Sequence, residues 1–453
     1  MFESVLVANR GEIAVRVVRT CQRLGVKAVA VHSEADAGAL HVRVADESVL
    51  LGPAPATQSY LDMDRVLEAA RVTGAQAVHP GYGFLAESAE FARRVAAAGL
   101  VWVGPAPEAI EAMGDKVAAR AAMQAAGVPV AAGTDPLPDA DAAARAAKQI
   151  GYPVMVKAAA GGGGIGMAAV FDEDGLRAAY ETARTRAERF FGSPSVFLEK
   201  YLARSRHVEV QVLGLADGRV LALGERDCSV QRRHQKVAEE TPSPGVSDGL
   251  RADMLAAAVR AAEAVDYRGA GTVECLVDTS EDAAGDGSGF YFLEMNTRLQ
   301  VEHPVTELVT GVDLVEEQLR VAAGDPPALD PAAPPAPRGH AIELRVYAED
   351  PKRFLPGPGR ITRWEEPSGE GIRVDSGYAD GDTVTPYYDP LMAKLCVWGP
   401  DRPAALDRAR EALAGFVVEG PKCNLPFFAE LLDDPEFVSG AYDTGLIERM
   451  RSR

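Results

Sequence analysis

Short apolar runs dominate the first hundred residues: SVLVA, KAVAVHS, AQAVHP and LVWVG recur between stretches with helical spacing. That rhythm constrains the fold most, because parallel strands need a long crossover and a helix is the usual one. It predicts a parallel α/β domain. In the first crossover, GEIAVRVVRTCQRLG, Ile13, Val17, Val18, Cys21 and Leu24 share one helical face. Arg16 and Arg19 fall on other faces and are expected to be solvated.

The pattern changes at Asp115. A helical segment, KVAARAAMQAAG, precedes a Pro/Asp-rich loop, a second helix and then a long region of strands. Later comes GDPPALDPAAPPAPRGH, with Pro326, Pro327, Pro331, Pro334, Pro335 and Pro337, a density that continues neither helix nor sheet. It is read as a linker or wrapping segment into a C-terminal α+β domain. With 453 residues, 47% of them hydrophobic, the chain can build two to four cored domains.

Net charge is −19, which excludes DNA or RNA as a partner, since a polyanion needs clustered Lys and Arg. No apolar run reaches membrane-spanning length, and the start MFESVLVANRGEIA lacks a signal-peptide pattern, so no membrane is expected. The five cysteines, Cys21, Cys228, Cys275, Cys396 and Cys423, are scattered and never spaced CxxC. Neither a disulfide framework nor zinc is expected, and a cytoplasmic protein fits.

Residues 157–167, KAAAGGGGIGM, hold four consecutive glycines, a backbone able to approach a phosphate and point N–H groups at it. Gly161, Gly163 and Gly166 satisfy G-x-G-x-x-G, yet a dinucleotide loop opens a helix, whereas the strand-like MAAVF follows here. A P-loop is excluded because no Gly-Lys dipeptide occurs. With Lys157 at the end of PVMVK, the loop reads as a mobile lid over polyphosphate, joining two strands.

In FYFLEMNTRLQVEHP, residues 290–304, an extended chain would set Glu294, Asn296, Arg298, Gln300 and Glu302 on one face. Leu293, Met295, Leu299 and Val301 would take the other. The preceding strand GTVECLVD adds Glu274 across a hairpin. Glu274, Glu294 and Asn296 form an oxygen set suited to Mg²⁺ carrying nucleotide phosphates. Arg298 is a candidate anion binder and Glu302 a candidate base. HVEVQV contributes His207, and RDCSVQRRHQK contributes His234 and Lys236.

At these residues the chain resembles biotin carboxylase, the ATP-grasp subunit of biotin-dependent carboxylases such as acetyl-CoA carboxylase. ANRGEIA, HPGYGFLAE, MGDK, KAAAGGGGIGM, RDCSVQRRHQK, EMNTRLQVEHPVTE, AEDP and YDPLMAKL stand in family order over essentially the whole length. The resemblance implies an N-terminal α/β (pre-ATP-grasp) domain over 1–114 and an ATP-grasp domain over 115–325, its lid near 131–201. A C-terminal α+β domain would cover 338–446.

The resemblance implies the reaction as well: ATP and bicarbonate give carboxyphosphate, which carboxylates biotin, here as the first half-reaction of an acetyl-CoA carboxylase in fatty acid synthesis. Lys116, Lys157, Gly163 and Gly164 would meet ATP phosphates, Glu199, Lys200 and Leu202 the adenine, and His207, Gln231 and His234 the remaining nucleotide. Glu274, Glu294 and Asn296 would hold Mg²⁺ or Mn²⁺, with Glu274 and Glu294 also facing the nucleotide. Bicarbonate would meet Lys236, Arg298, Gln300 and Val301, with Glu302 as base; Arg345 and Tyr82 would meet biotin.

The implied partners are a biotin carboxyl carrier protein and carboxyltransferase subunits, and the implied assembly is a homodimer. No methionine is directly followed by lysine, so a biotinyl-lysine in an AMKM setting is expected on a separate carrier. Three departures stand out. Ile165 and Ala168 replace residues that are commonly basic in the family, and the loop between the two metal-bearing strands is long.

Overall fold

The computed structural model describes residues 1–159, 167–280 and 289–453. Gly163 and Gly164, with the rest of the glycine run and most of the hairpin loop after Asp278, lie outside the described residues.

Five parallel strands form the N-terminal sheet in the order Glu47–Gly52, Lys27–Ser33, Ser4–Val7, Ala77–His79 and Val101–Trp102. Four of these are the apolar runs. The fifth, ESVLLG, is an edge strand in which exposed and half-buried positions alternate, so it lacks a continuous apolar signal. Helix Gly11–Arg23 packs Ile13, Val17, Val18 and Cys21 into the core as its spacing requires. Arg16 corrects the expectation of a solvated side chain: it is buried, with Nη2 2.9 Å from Glu307 and 2.8 Å from Asp313. Arg19 is exposed. Helical spacing locates an apolar stripe and is blind to what a second domain lays on the opposite face.

The central element is an eight-stranded antiparallel sheet. Its order is Phe290–Asn296, Gly269–Asp278, Ser205–Gly214, Val220–Arg232, Gln235–Thr241, His340–Tyr347, Leu391–Gly399 and Ile372–Ser376. The proline-rich residues 325–339 contain neither helix nor strand, yet the chain returns from them to the same sheet, pairing Ala238 with Leu344 and Thr241 with Ala341. Helices Arg402–Gly415 and Leu425–Asp433 cover the C-terminal strands with Ala405, Leu406, Phe427 and Phe428.

A separate three-stranded antiparallel sheet comprises Ala168–Val170, Val154–Ala158 and Val196–Lys200. Strands flank the glycine run, as expected. Helices Ala140–Ile150 and Glu173–Phe191 back this sheet, and Asp139 and Asp172 cap their N-termini by accepting from Ala142 and Gly175 N–H groups. N- and C-terminal parts meet closely at Gly377, where a Cβ would lie 2.5 Å from the Glu12 nitrogen.

Candidate functional site

A cleft of about 2350 Å³ opens where the parallel sheet, the small sheet and the central sheet converge. Tyr82 lines it from the N-terminal part, Lys116 from the head of helix Lys116–Ala125, and Lys157, Glu199, Lys200 and Leu202 from the small sheet and its exit. The central sheet contributes His207, Gln231, His234, Lys236, Glu274, Glu294 and Asn296. Arg298, Gln300, Val301 and Arg345 complete the lining. Residues more than 250 positions apart thus meet in one space.

The expected straight strand over 290–302 is corrected: it ends at Asn296. Helix His303–Thr310 then begins with Pro304 in its first turn, where the fixed proline φ suits a helix start. The chain turns down into the molecule, and Glu302 is wholly buried. It is the one predicted site residue, among those described, that does not line the cleft.

Beneath the lining, Lys236 Nζ lies 2.5 Å from Glu209, 2.8 Å from Glu274 and 2.6 Å from Glu302. Arg345 Nη2 donates to the other Glu302 oxygen at 2.9 Å and sits 2.5 Å from Glu239. Burial alone would raise the Glu302 carboxyl; Lys236, Arg345 and Arg226 overcome it and hold Glu302 well below the usual carboxylate range. A straight strand would set Arg298 on one face with Glu302, with Gln300 between them. Instead its Nε donates to Glu87 at 2.9 Å, and its other nitrogens reach Gln300 and Asn296 at 3.2 Å.

Glu274 and Glu294 are direct cross-strand partners. Burial and then the Glu274 charge push the Glu294 carboxyl above its ordinary value, the electrostatics of a pair that a cation between them would relieve. The Asn296 amide donates to Glu274 Oε1 at 2.9 Å, leaving the Asn296 oxygen facing Arg298. This donor set fits a hard divalent cation. His207 Nε2 lies 2.9 Å from Glu274 Oε2, and despite its burial that carboxylate raises the imidazole. Glu209, Cys228 and Glu302 also bring ligand atoms within 4.8 Å of one another, but Lys236 already stands among those carboxylates as their cation.

Toward the small sheet, Lys157 is ion-paired with Glu199. Lys200 Nζ donates to the Gly151 and Tyr152 carbonyls. Lys116 is lowered by burial, with Glu294 opposing. Arg233 and His234 form a two-residue hairpin loop with φ of 48° and 68°, a left-handed turn matched to strand twist that carries His234 to the cleft.

Sequence reasoning passes over Arg226, Glu239 and Glu87 as site residues. Arg226 is fully buried and donates to Glu209 at 2.6 Å, to Gln211 at 2.7 Å and to Thr272 and Thr306. The signal is present in the charged run GERDCSVQRRHQK: a strand polar on both faces and buried in the middle of a sheet must satisfy its charges internally.

Residues 1–110 match the family model for the biotin carboxylase N-terminal domain. Residues 115–329 match that for the carbamoyl-phosphate synthase L chain ATP binding domain, and 343–449 that for the biotin carboxylase C-terminal domain. The chain is similar to a biotin carboxylase of Halalkalibacterium halodurans, 51% identical over 99% of this chain and 97% of that protein. It is also similar to a pyruvate carboxylase subunit of Methanothermobacter thermautotrophicus, 49% identical over 100% and 90% of the two chains. Among solved structures, a Campylobacter jejuni biotin carboxylase complexed with β,γ-ATP superposes with a TM-score of 0.95 at 44% identity, covering 99% of both chains. The biotin carboxylase domain dimer of Hydrogenobacter thermophilus 2-oxoglutarate carboxylase, with MgADP, ADP and bicarbonate, gives 0.93 at 44% identity over 99% and 98%.

Proposed function

The chain belongs to the biotin carboxylase family and is an ATP-dependent ligase that carboxylates biotin; on that premise we propose how its cleft divides the work. Lys116 and Lys157, with Gly163 and Gly164, meet the phosphates of ATP. Glu199, Lys200 and Leu202 meet the adenine, and His207, Gln231 and His234 the rest of the nucleotide. Lys157 is free to do so when it exchanges Glu199 for phosphate. Glu274, Glu294 and Asn296 would hold Mg²⁺ or Mn²⁺, which supplies positive charge to the polyphosphate when bound.

Bicarbonate binds against Lys236, Arg298, Gln300 and the Val301 backbone. Glu302 removes its proton, and the freed oxygen attacks the terminal phosphorus of ATP, giving carboxyphosphate and ADP. The C–O bond to phosphate then breaks, the departing phosphate takes the ureido N–H proton of biotin and the freed nitrogen bonds the carboxyl carbon, with Arg345 opposing charge on the biotin enolate and Tyr82 beside the ring. The observation that carries this reading is the Lys236 network. Glu302 is held ionised, and Lys236 can release it while keeping Glu209 at 2.5 Å and Glu274 at 2.8 Å.

Biotin is read as borne by a separate carrier, a carboxyltransferase completes the cycle with acetyl-CoA as acceptor, and the enzyme works as a cytoplasmic homodimer. The test is ADP release at saturating ATP and bicarbonate, with and without free biotin. Biotin-dependent ADP release is expected. Glu294→Gln should suppress it while leaving the melting temperature within a few degrees. Unchanged turnover at limiting Mg²⁺ would remove Glu294 from the metal set. Competition among carboxyltransferases for acetyl-CoA, propionyl-CoA and pyruvate, coupled to this chain and its carrier, decides the acceptor.

A further inference from the structure

At the mouth of the cleft, two turns present cations that have no ion-pair partner among the described residues. Arg233 tops the Val220–Arg232 and Gln235–Thr241 hairpin, and Lys352 and Arg353 stand on the loop after Tyr347; all three line the opening and are exposed. Their neighbours are engaged. Arg232 pairs with Glu349 at 3.3 Å, Lys422 with Asp350 at 2.8 Å and Arg451 with Glu430 at 2.6 Å. In a chain carrying 66 acidic and 47 basic side chains, three cations without an ion-pair partner on two neighbouring turns stand out, with Asp389 and Glu448 the exposed carboxylates that share the lining.

The loop that carries two of them is firmly held. Phe354 is buried between Arg232 and Arg451, whose guanidinium carbons lie 4.6 and 5.2 Å from its ring. Arg232 also donates to the Phe354 carbonyl at 3.0 Å, and Arg451 to that of Pro351 at 3.0 Å. Asp350 accepts from the Lys352 and Arg353 backbone N–H groups at 3.0 and 2.9 Å. The cationic side chains are therefore presented outward from a fixed backbone. Beside them Leu355 is 58% exposed, and Tyr387, which lines the same opening, is 54% exposed. Unpaired cations around exposed apolar side chains make the composition of a protein-docking rim.

We propose that Arg233, Lys352 and Arg353, with Leu355 and Tyr387, form the docking rim for the biotin carrier, and that the carrier meets it with an acidic face beside its biotinyl-lysine. This rests on the reading above that biotin arrives on a separate protein. A carrier delivering biotin toward Arg345 must pass the mouth these residues line. With a net charge of −19 the chain as a whole disfavours an acidic partner, so cations at the mouth favour approach there.

The test compares two substrates in the full-length protein: a purified biotinylated carrier domain of net negative charge, and free biotin. Lys352→Glu with Arg353→Glu should lower kcat/KM for the carrier by about tenfold or more, mainly through KM, while the free-biotin rate and the KM for ATP stay unchanged. The advantage of the unmodified protein should shrink as salt rises. A carrier whose acidic residues flanking the biotinyl-lysine are changed to lysine should recover activity with the double variant. An unchanged carrier kcat/KM overturns the rim. An equal loss with free biotin, or a raised KM for ATP, overturns it by assigning these cations to nucleotide or fold. Absence of turnover with either form of biotin in the unmodified protein overturns the functional reading and the rim with it.

Discussion

Two buried ionic networks built from the same residue types lie on either side of residues 298–302, and they behave differently. Around Lys236, three carboxylates lie within 2.8 Å of one ammonium, and that ammonium faces the cleft. Around Lys394 the contacts are looser and closed to solvent: its Nζ donates to the Val301 carbonyl at 2.9 Å and lies 3.1 Å from Glu12 and 3.8 Å from Asp375. Arg373 links Asp375 to Glu307, and Arg16 continues the chain of pairs to Asp313. The first network has a cation that can change partners as substrate enters. The second ties helix Gly11–Arg23, helix His303–Thr310 and two C-terminal strands together beneath the same loop. The difference lies in the cation: the Lys236 ammonium lines the cleft and the Lys394 ammonium does not.

Removing the candidate base breaks the comparison most severely. Glu302→Gln keeps size and hydrogen bonding but abolishes basicity. Bicarbonate-dependent ADP formation should fall by about two to four orders of magnitude while ATP binding stays near normal. A loss of thermal stability matching the loss of rate would place Glu302 with the structural network instead.

Lys394→Met probes the other side. It leaves Glu12 and Asp375 without their shared cation in a fully buried site, at a cost of about 3 to 5 kcal/mol. Denaturant unfolding measures it, and a cost below about 1 kcal/mol, the scale of an exposed pair, would show that the closed network is dispensable.

Glu12→Gln is the mildest and sharpens the contrast by pH. Burial, with Lys394 opposing, pushes the Glu12 carboxyl up to about 7 from an ordinary value of 4.5. A folded-state value raised in this way means stability is full below about pH 4.5 and is lost as pH rises through 7. The variant should unfold with a flatter pH dependence across that window and nearly unchanged stability at its acid end. An unaltered slope would show that Glu12 stays ionised throughout.

Elements with a local signal were legible in the order of residues alone. The four apolar runs became parallel strands, the glycine run is flanked by strands rather than opening a helix, and Glu274 stands opposite Glu294 because period-two side chains on adjacent strands leave no other face. Of the site residues the sequence motifs named, every described one but Glu302 lines the cleft. Where charges pair emerged from the packing of distant elements. Arg16 looks solvated until Glu307 and Asp313 close over it, and Arg298 belongs with Glu87, 211 residues away in the chain. Glu302 drops out of its expected row because a proline-led helix begins at once after it. Periodicity reports which side of an element a residue occupies; an ion pair depends on which distant element arrives on that side, and that is settled by packing.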